Sequence, residues 1–125
     1  MPGRYVLLVS DDRHLAEEVT YSFPQDLDVK IAHDSKEAFA FMDAALPEVA
    51  ILEIRSGNSG GVALAEDMAQ REGSRDVPIL MLLERPQDEW LARSAGAKAT
   101  RVQPLEASDL VAETLALVAS TSPQP

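Results

Sequence analysis

Cysteine is absent from the 125 residues of this chain. Its absence excludes a disulfide scaffold, thiol chemistry and any metal site that depends on cysteine ligands. Histidine is scarce as well, because His14 and His33 are the only two. Two histidines are too few to build a metal site dominated by imidazole ligands. The chemistry open to this chain therefore rests on carboxylates, hydroxyls, amides and a small set of cations.

Positive charge is also in short supply. The 21 Asp and Glu residues outnumber the 11 Lys and Arg residues, which gives a formal net charge of −10. Such a charge repels phosphate backbones, so we expect no direct binding of nucleic acid. No apolar run approaches the roughly 20 residues of a membrane-spanning helix, and no signal peptide precedes the first apolar segment. The expected location is the cytoplasm, with no membrane contact.

The residues that are present alternate between two kinds of segment. Tyr5–Val9 is apolar at every position, which is typical of a strand buried on both faces. Leu15, Val19 and Phe23 then recur every four residues, as on an amphipathic helix. The same alternation continues along the chain and predicts strands at residues 5–9, 29–32, 49–54, 77–83 and 99–102, with helices near residues 12–23, 35–46, 64–71, 86–95 and 107–119.

Five strands that alternate with five helices predict an α/β fold with a doubly wound parallel sheet. We expect one domain over residues 1–119, with the flavodoxin-like strand order 2-1-3-4-5. Residues 120–125 contain serine and proline and predict a flexible tail or the start of a linker.

In such a sheet, ligands bind at the carboxyl ends of the strands, where the strand order reverses. Asp11 and Asp12 follow the first strand, and Glu53 ends the third. A nucleotide or flavin site needs glycines and hydroxyls that cradle a phosphate, whereas these residues place anions there. The chain also shows no Ser/His/Asp arrangement of the kind that hydrolases use. We therefore expect neither a flavodoxin-type cofactor nor an enzyme.

Taken in order, these segments resemble a response-regulator receiver domain over roughly residues 5 to 119. The similar segments are residues 7–12, with the acidic pair, 47–54, with the phosphoacceptor strand, 77–83, 95–97 and 102–105. The resemblance implies the receiver topology and a role in two-component or phosphorelay signalling.

The chain departs from the receiver pattern at the positions that handle phosphate. Glu53 stands where the family has its acceptor Asp, Leu83 replaces a Thr or Ser, and Gln103 replaces a Lys. Thr100 occupies the position of an aromatic residue that rotates on activation, and Gly57 stands where a proline is usual. Only Asp11 and Asp12 match the family at this site.

These departures weaken phosphorylation for physical reasons. Glu53 extends its carboxylate by one C–C bond, ~1.5 Å by analogy with backbone bond lengths, and misplacement near 1 Å costs roughly 100-fold in rate. Leu83 donates no hydrogen bond, and Gln103 offers a neutral donor to a dianion. We expect a pseudo-receiver that is not phosphorylated in the standard way. The alternatives are a low-efficiency phosphoacceptor, at Glu53 or Asp12, and an N-terminal dimerisation or regulatory domain of a longer response regulator.

The negative charges of the acidic cluster, Asp11, Asp12 and Glu53, repel one another, so a nearby positive charge or a bound proton is needed to reduce this repulsion. We expect Arg55 or Arg85 to supply it, with weak Mg²⁺ binding as the alternative and no required cofactor. If this reduction is incomplete, removing the charge of Glu53 is expected to stabilise the domain at neutral pH. Asp12 is also a candidate N-cap for the first helix.

The resemblance further implies an interaction face built from the fourth helix, the fifth strand and the fifth helix. It would meet a signalling partner, an attached effector domain or a second copy of the chain. Apolar residues of the last helix, from Leu110 to Val118, are expected to supply its affinity. The predicted residues of this face are Trp90, Arg93, Lys98, Arg101, Asp109 and Glu113.

Overall fold

The sequence forms five strands, each followed along the chain by a helix. A computed structural model describes residues 4–55 and 60–121. The strands are β1 (Arg4–Val9), β2 (Leu27–Ala32), β3 (Val49–Glu53), β4 (Ile79–Leu83) and β5 (Ala99–Val102). The helices are α1 (Arg13–Ser22), α2 (Ser35–Ala44), α3 (Gly60–Gln70), α4 (Glu89–Ser94), preceded by a 3-10 turn (Pro86–Asp88), and α5 (Ala107–Thr121).

The strands form one parallel sheet in the order β2-β1-β3-β4-β5. The predicted fold class and strand order are therefore confirmed. Boundaries differ locally, since β2 begins at Leu27, which pairs with Arg4, two residues before its predicted start. The predicted helix over residues 86–95 is shorter, because its first turn is a 3-10 turn.

Each central strand is buried on both faces, which divides the core into two layers. Tyr5, Leu7 and Val9 point to one layer, and Val6 and Leu8 point to the other. The uninterrupted apolar runs in the sequence follow from this arrangement, because a strand covered by helices on both sides has no solvent face.

Aspartates begin the first two helices. Asp12 accepts a hydrogen bond from the backbone N–H of Leu15 at 3.1 Å, and Asp34 accepts one from Glu37 at 2.9 Å. The predicted capping role of Asp12 is confirmed. Such caps satisfy one of the unpaired N–H groups of the first turn and typically contribute about 1 kcal/mol.

The last helix presents less apolar surface than its sequence predicts. Leu110, Val111 and Val118 are buried in the core, and Leu117 packs against it. Leu115 is 36% exposed. The expectation of a broad apolar docking stripe is wrong here, because most of these side chains cover the sheet. The helix continues to Thr121, and residues 122–125 of the predicted tail lie outside the described residues.

Two glycines are the first residues of α3. Gly60 has a φ of 77°, a left-handed conformation that glycine adopts without penalty. A Cβ on Gly61 would collide with the carbonyl oxygen of Glu53 and lie 2.9 Å from Sδ of Met81. Gly61 therefore lets α3 start directly against the end of β3. Gly57 lies outside the described residues.

Candidate functional site

The parallel register sets the site residues side by side at the carboxyl edge of the sheet. Val9 of β1 pairs with Leu52 of β3, so the next residues along, Ser10 and Glu53, become neighbours. Leu83 of β4 pairs with Val102 of β5, and the residue after Val102 is Gln103. Strand ends from across the sheet thus meet at Glu53.

Glu53 accepts hydrogen bonds at both of its carboxylate oxygens. The hydroxyl of Ser10 donates to Oε1, and Nε2 of Gln103 donates to Oε2 at 3.1 Å. Both contacts are partly buried. The structure therefore joins Glu53 and Gln103, which the sequence had placed at one site, through a direct contact between their side chains.

Ser10 is the member of the site that sequence reasoning missed. It is 1% exposed, and its Oγ also accepts the backbone N–H of Asp12 at 2.9 Å. Its own N–H donates to the carbonyl of Ala32, at the end of β2, at 3.0 Å. The available signal was its place directly after an apolar strand, opposite Glu53 in the parallel register.

Leu83, the last residue of β4, offers the site no side-chain hydrogen bond. Its side chain is 1% exposed and belongs to the core, so no hydroxyl faces Glu53 from this position. Its carbonyl accepts the backbone N–H of Gln103 at 2.7 Å, which extends the β4–β5 pairing. Gln103 then joins Pro104 through a cis peptide bond.

Arg55 and Arg85, the predicted charge partners of the acidic cluster, form ion pairs with other carboxylates. Arg55 contacts Glu84 at 3.4 Å, and Arg85 binds Asp88 through two hydrogen bonds of 2.8 and 3.2 Å. The Arg85 guanidinium holds the pKa of Asp88 below its usual range. Arg55 follows Glu53 by two residues, but β3 ends at Glu53, so the strand alternation that would place both side chains on one face does not reach Arg55.

The acidic pair does not form a ready cation site with Glu53. Asp11 and Asp12 are exposed, and the Asp12 carboxylate caps α1. Both oxygens of Glu53 accept hydrogen bonds from neutral donors. Among residues 4–55 and 60–121, no three His, Asp or Glu side chains lie close enough to hold a metal ion. Asp11, Asp12 and Glu53 are therefore not gathered as three ligands around one point in this arrangement.

Thr100 stands at the position where the receiver family commonly has an aromatic residue, and its smaller side chain leaves a groove beside it. Its Oγ1 donates to Oε2 of Glu89 at 3.1 Å, and Nε of Arg93 donates to the same oxygen at 3.0 Å. These two donors, Arg93 first, lower the pKa of Glu89. A groove of about 420 Å³ remains beside Thr100, and it is lined by Leu83, Pro86, Glu89, Thr100, Arg101 and Val102.

The predicted interaction face brings its charges together within one chain. Arg101 of β5 pairs with Glu113 of α5 at 3.2 Å, and Arg93 also donates to the carbonyl of Lys98 at 3.2 Å. Trp90 is 70% exposed on α4. Arg101 and Glu113, two residues of the predicted face, therefore form an ion pair within one chain.

Comparison with known proteins gives a consistent set of relatives. The transcriptional regulatory protein TrcR of Mycobacterium tuberculosis is 30% identical over 120 residues, which cover 94% of this chain and 46% of that protein. The chain thus spans about half the length of this curated relative. The receiver domain of the Francisella response regulator 1452 has a TM-score of 0.85 at 18% identity, covering 96% of this chain and 100% of that one. No family model matches.

A further solved structure carries a metal. The Mn²⁺-bound form of the response regulator Rcp1 has a TM-score of 0.71 at 17% identity, and the match covers 91% of both chains.

Together these comparisons show that the chain has the receiver fold, and its resemblance to response-regulator receiver domains is confirmed. Within the described ranges, no helix has the length and apolar character needed to cross a bilayer.

Proposed function

We propose that this chain is a receiver-like regulatory module of two-component or phosphorelay signalling that works without the standard phosphorylation cycle. The observation that carries this proposal is the pair of hydrogen bonds that Glu53 accepts from Ser10 and Gln103. A receiver needs an acceptor carboxylate with an oxygen free to attack phosphorus. Here each oxygen of the residue at that position already accepts a hydrogen bond from a neighbour, which lowers its nucleophilicity.

The surroundings of Glu53 add to this argument. An acyl phosphate needs donors and positive charge around its oxygens. Leu83 supplies a buried alkyl group, and Gln103 supplies a neutral amide where the family has a lysine. The lengthened side chain of Glu53 also moves the carboxylate away from the in-line position. The module would therefore signal through protein contacts, without enzymatic activity of its own.

The test is exposure to acetyl phosphate, and separately to beryllofluoride, in the presence of Mg²⁺. Intact-protein mass spectrometry and backbone amide NMR would be recorded on the natural chain. We expect no phosphoryl adduct and no shifts over residues 83–105. The matched control is the triple variant Glu53→Asp, Leu83→Thr and Gln103→Lys, which restores the family's residues and should gain an adduct.

An adduct on the natural chain would favour the low-efficiency phosphoacceptor instead. Digestion and fragment mapping would then assign it to Glu53 or to Asp12. Weak Mg²⁺ binding at Asp11, Asp12 and Glu53 belongs to that alternative, because phosphoryl transfer to a receiver needs a cation at the acidic pair.

We also propose that the module acts beside a further domain or a separate signalling partner in the cytoplasm. The support is that the relative TrcR, a transcriptional regulatory protein, is about twice as long as the matched segment. The proposed contact surface is the α4–β5–α5 face, with Trp90 as its exposed aromatic residue. The charge of −10 opposes direct contact with nucleic acid by this module.

Sedimentation velocity tests the contact with a second copy. The variant Trp90→Ala removes exposed apolar surface, and Tyr21→Ala, which is 89% exposed on α1, is the matched control. If the chain self-associates through the α4–β5–α5 face, Trp90→Ala weakens association and Tyr21→Ala does not. The reverse pattern would assign the interface to α1.

A further inference from the structure

A continuous chain of hydrogen bonds crosses the carboxyl edge of the sheet. The backbone N–H of Asp12 donates to Oγ of Ser10, the Ser10 hydroxyl donates to Glu53, and Glu53 accepts Gln103 at its other oxygen. Asp12, at one end of this hydrogen-bonded series, caps α1, and Gln103, at the other end, lies between β5 and α5. Residues that are more than 90 positions apart in sequence are thereby linked.

Within this hydrogen-bonded series, Ser10 is the one residue that both donates and accepts a hydrogen bond. A hydroxyl has a single proton, so a Ser10 that donates to Glu53 uses its lone pairs for Asp12. Its 1% exposure keeps water from replacing either partner. The same Oγ therefore fixes the position of the α1 start relative to the Glu53 carboxylate.

We propose that Ser10 is a positioning residue that holds Glu53 against Gln103 and couples the acidic pair to the β5–α5 junction. This inference rests on the proposed function in one respect, since it explains how Glu53 is kept in one fixed arrangement. The hydroxyl supplies a neutral donor at Oε1 of Glu53. A movement at Asp12 would reach Gln103 through Ser10 and Glu53.

The test is the variant Ser10→Ala, read out at the side-chain amide of Gln103 by NMR. Ser74→Ala is the matched control, because Ser74 is the other buried serine among the described residues and its hydroxyl donates to the carbonyl of Met68 away from the site. We expect Ser10→Ala to shift the Gln103 Nε2 protons upfield and to speed their exchange with water. Ser74→Ala should leave them in place.

The reciprocal variant keeps the test informative if Ser10→Ala does not fold. Gln103→Leu removes the donor at the other end, and the backbone amide of Asp12 should then shift although no direct contact has changed. Coupling is refuted if Ser10→Ala moves the Asp12 amide and leaves the Gln103 side-chain signals unchanged. Ser10 would in that case act on the α1 cap alone.

This outcome is separable from the phosphorylation test. An adduct on the natural chain together with a shifted Gln103 signal in Ser10→Ala would overturn the proposed function and leave the coupling intact. The opposite combination, no adduct and no shift at Gln103, would overturn the coupling and leave the proposed function standing.

Discussion

Glu53→Gln changes one oxygen of the site into an NH₂ group and removes its charge. The sequence alone predicts stabilisation, because the carboxylate adds to a cluster of negative charge. The contacts of Glu53 predict the opposite sign, since its two oxygens accept hydrogen bonds from Ser10 and Gln103. We therefore expect this substitution to destabilise the domain.

The magnitude follows from the kind of bond that is lost. A hydrogen bond to a charged group contributes about 1.5–3 kcal/mol, and a neutral one about 0.5–1.5 kcal/mol. In the variant the amide oxygen would accept the Ser10 hydroxyl, and the NH₂ group would donate to the Gln103 side-chain oxygen once that amide has flipped, so both bonds survive in neutral form. Partial exposure of Glu53 to solvent reduces the difference, which leaves a net loss of about 1–2 kcal/mol.

Equilibrium unfolding in urea at neutral pH measures the effect. Glu66→Gln is the control, because Glu66 is exposed and its side chain forms no hydrogen bond or ion pair with another described residue. Both variants lower the net negative charge equally, so the difference between them isolates the site. A change of 1 kcal/mol moves Tm by about 3–6 °C in a domain of this size. A Glu53→Gln variant as stable as Glu66→Gln would refute the reasoning.

Three other predictions test the surroundings of the site. Gly61→Ala should cost about 1–3 kcal/mol in urea unfolding, because its Cβ meets the Glu53 carbonyl, while Gly73→Ala, with nothing within 4 Å, should cost much less. Hydrogen bonds from Arg93 and Thr100 lower the pKa of Glu89 below 4.5, so their stabilisation is complete above pH 4.5 and is lost as pH falls through the folded pKa. Carboxyl NMR titration should show a higher Glu89 midpoint in Arg93→Gln, and an unchanged midpoint would contradict this. Adding Mg²⁺ or a chelator should leave Tm unchanged, and a saturable rise with Mg²⁺ would show that the site holds a cation.

The order of strands and helices could be predicted because each segment carries its own signal. Strands buried on both faces are apolar throughout, as in Val6–Val9, and helices show a four-residue period, so the two patterns do not overlap in this chain. The position of Glu53 at the reversal of strand order follows from that topology. The pairing of Leu27 with Arg4 could not be predicted, because strand limits depend on the neighbouring strand.

The partners of the site residues were less accessible from sequence. A serine after a strand is a common feature of loops, and only the pairing of Val9 with Leu52 shows that Ser10 faces Glu53. Arg55 lies two residues from Glu53, yet the strand ends between them and the guanidinium contacts Glu84. Side-chain direction beyond a strand end is set by tertiary contacts, which a periodicity does not contain.

The departures at positions 53, 83 and 103 act together and cannot be reverted singly. Gln103→Lys alone would supply the positive charge, but Glu53 would keep its longer side chain and Leu83 would still offer no hydroxyl donor. Glu53→Asp alone would withdraw the carboxylate from Gln103, and Leu83 would still present an alkyl group to any phosphoryl oxygen. Recovery of phosphorylation therefore requires all three reversions. The shorter acceptor at position 53, the hydroxyl at position 83 and the positive charge at position 103 all act on the same transition state.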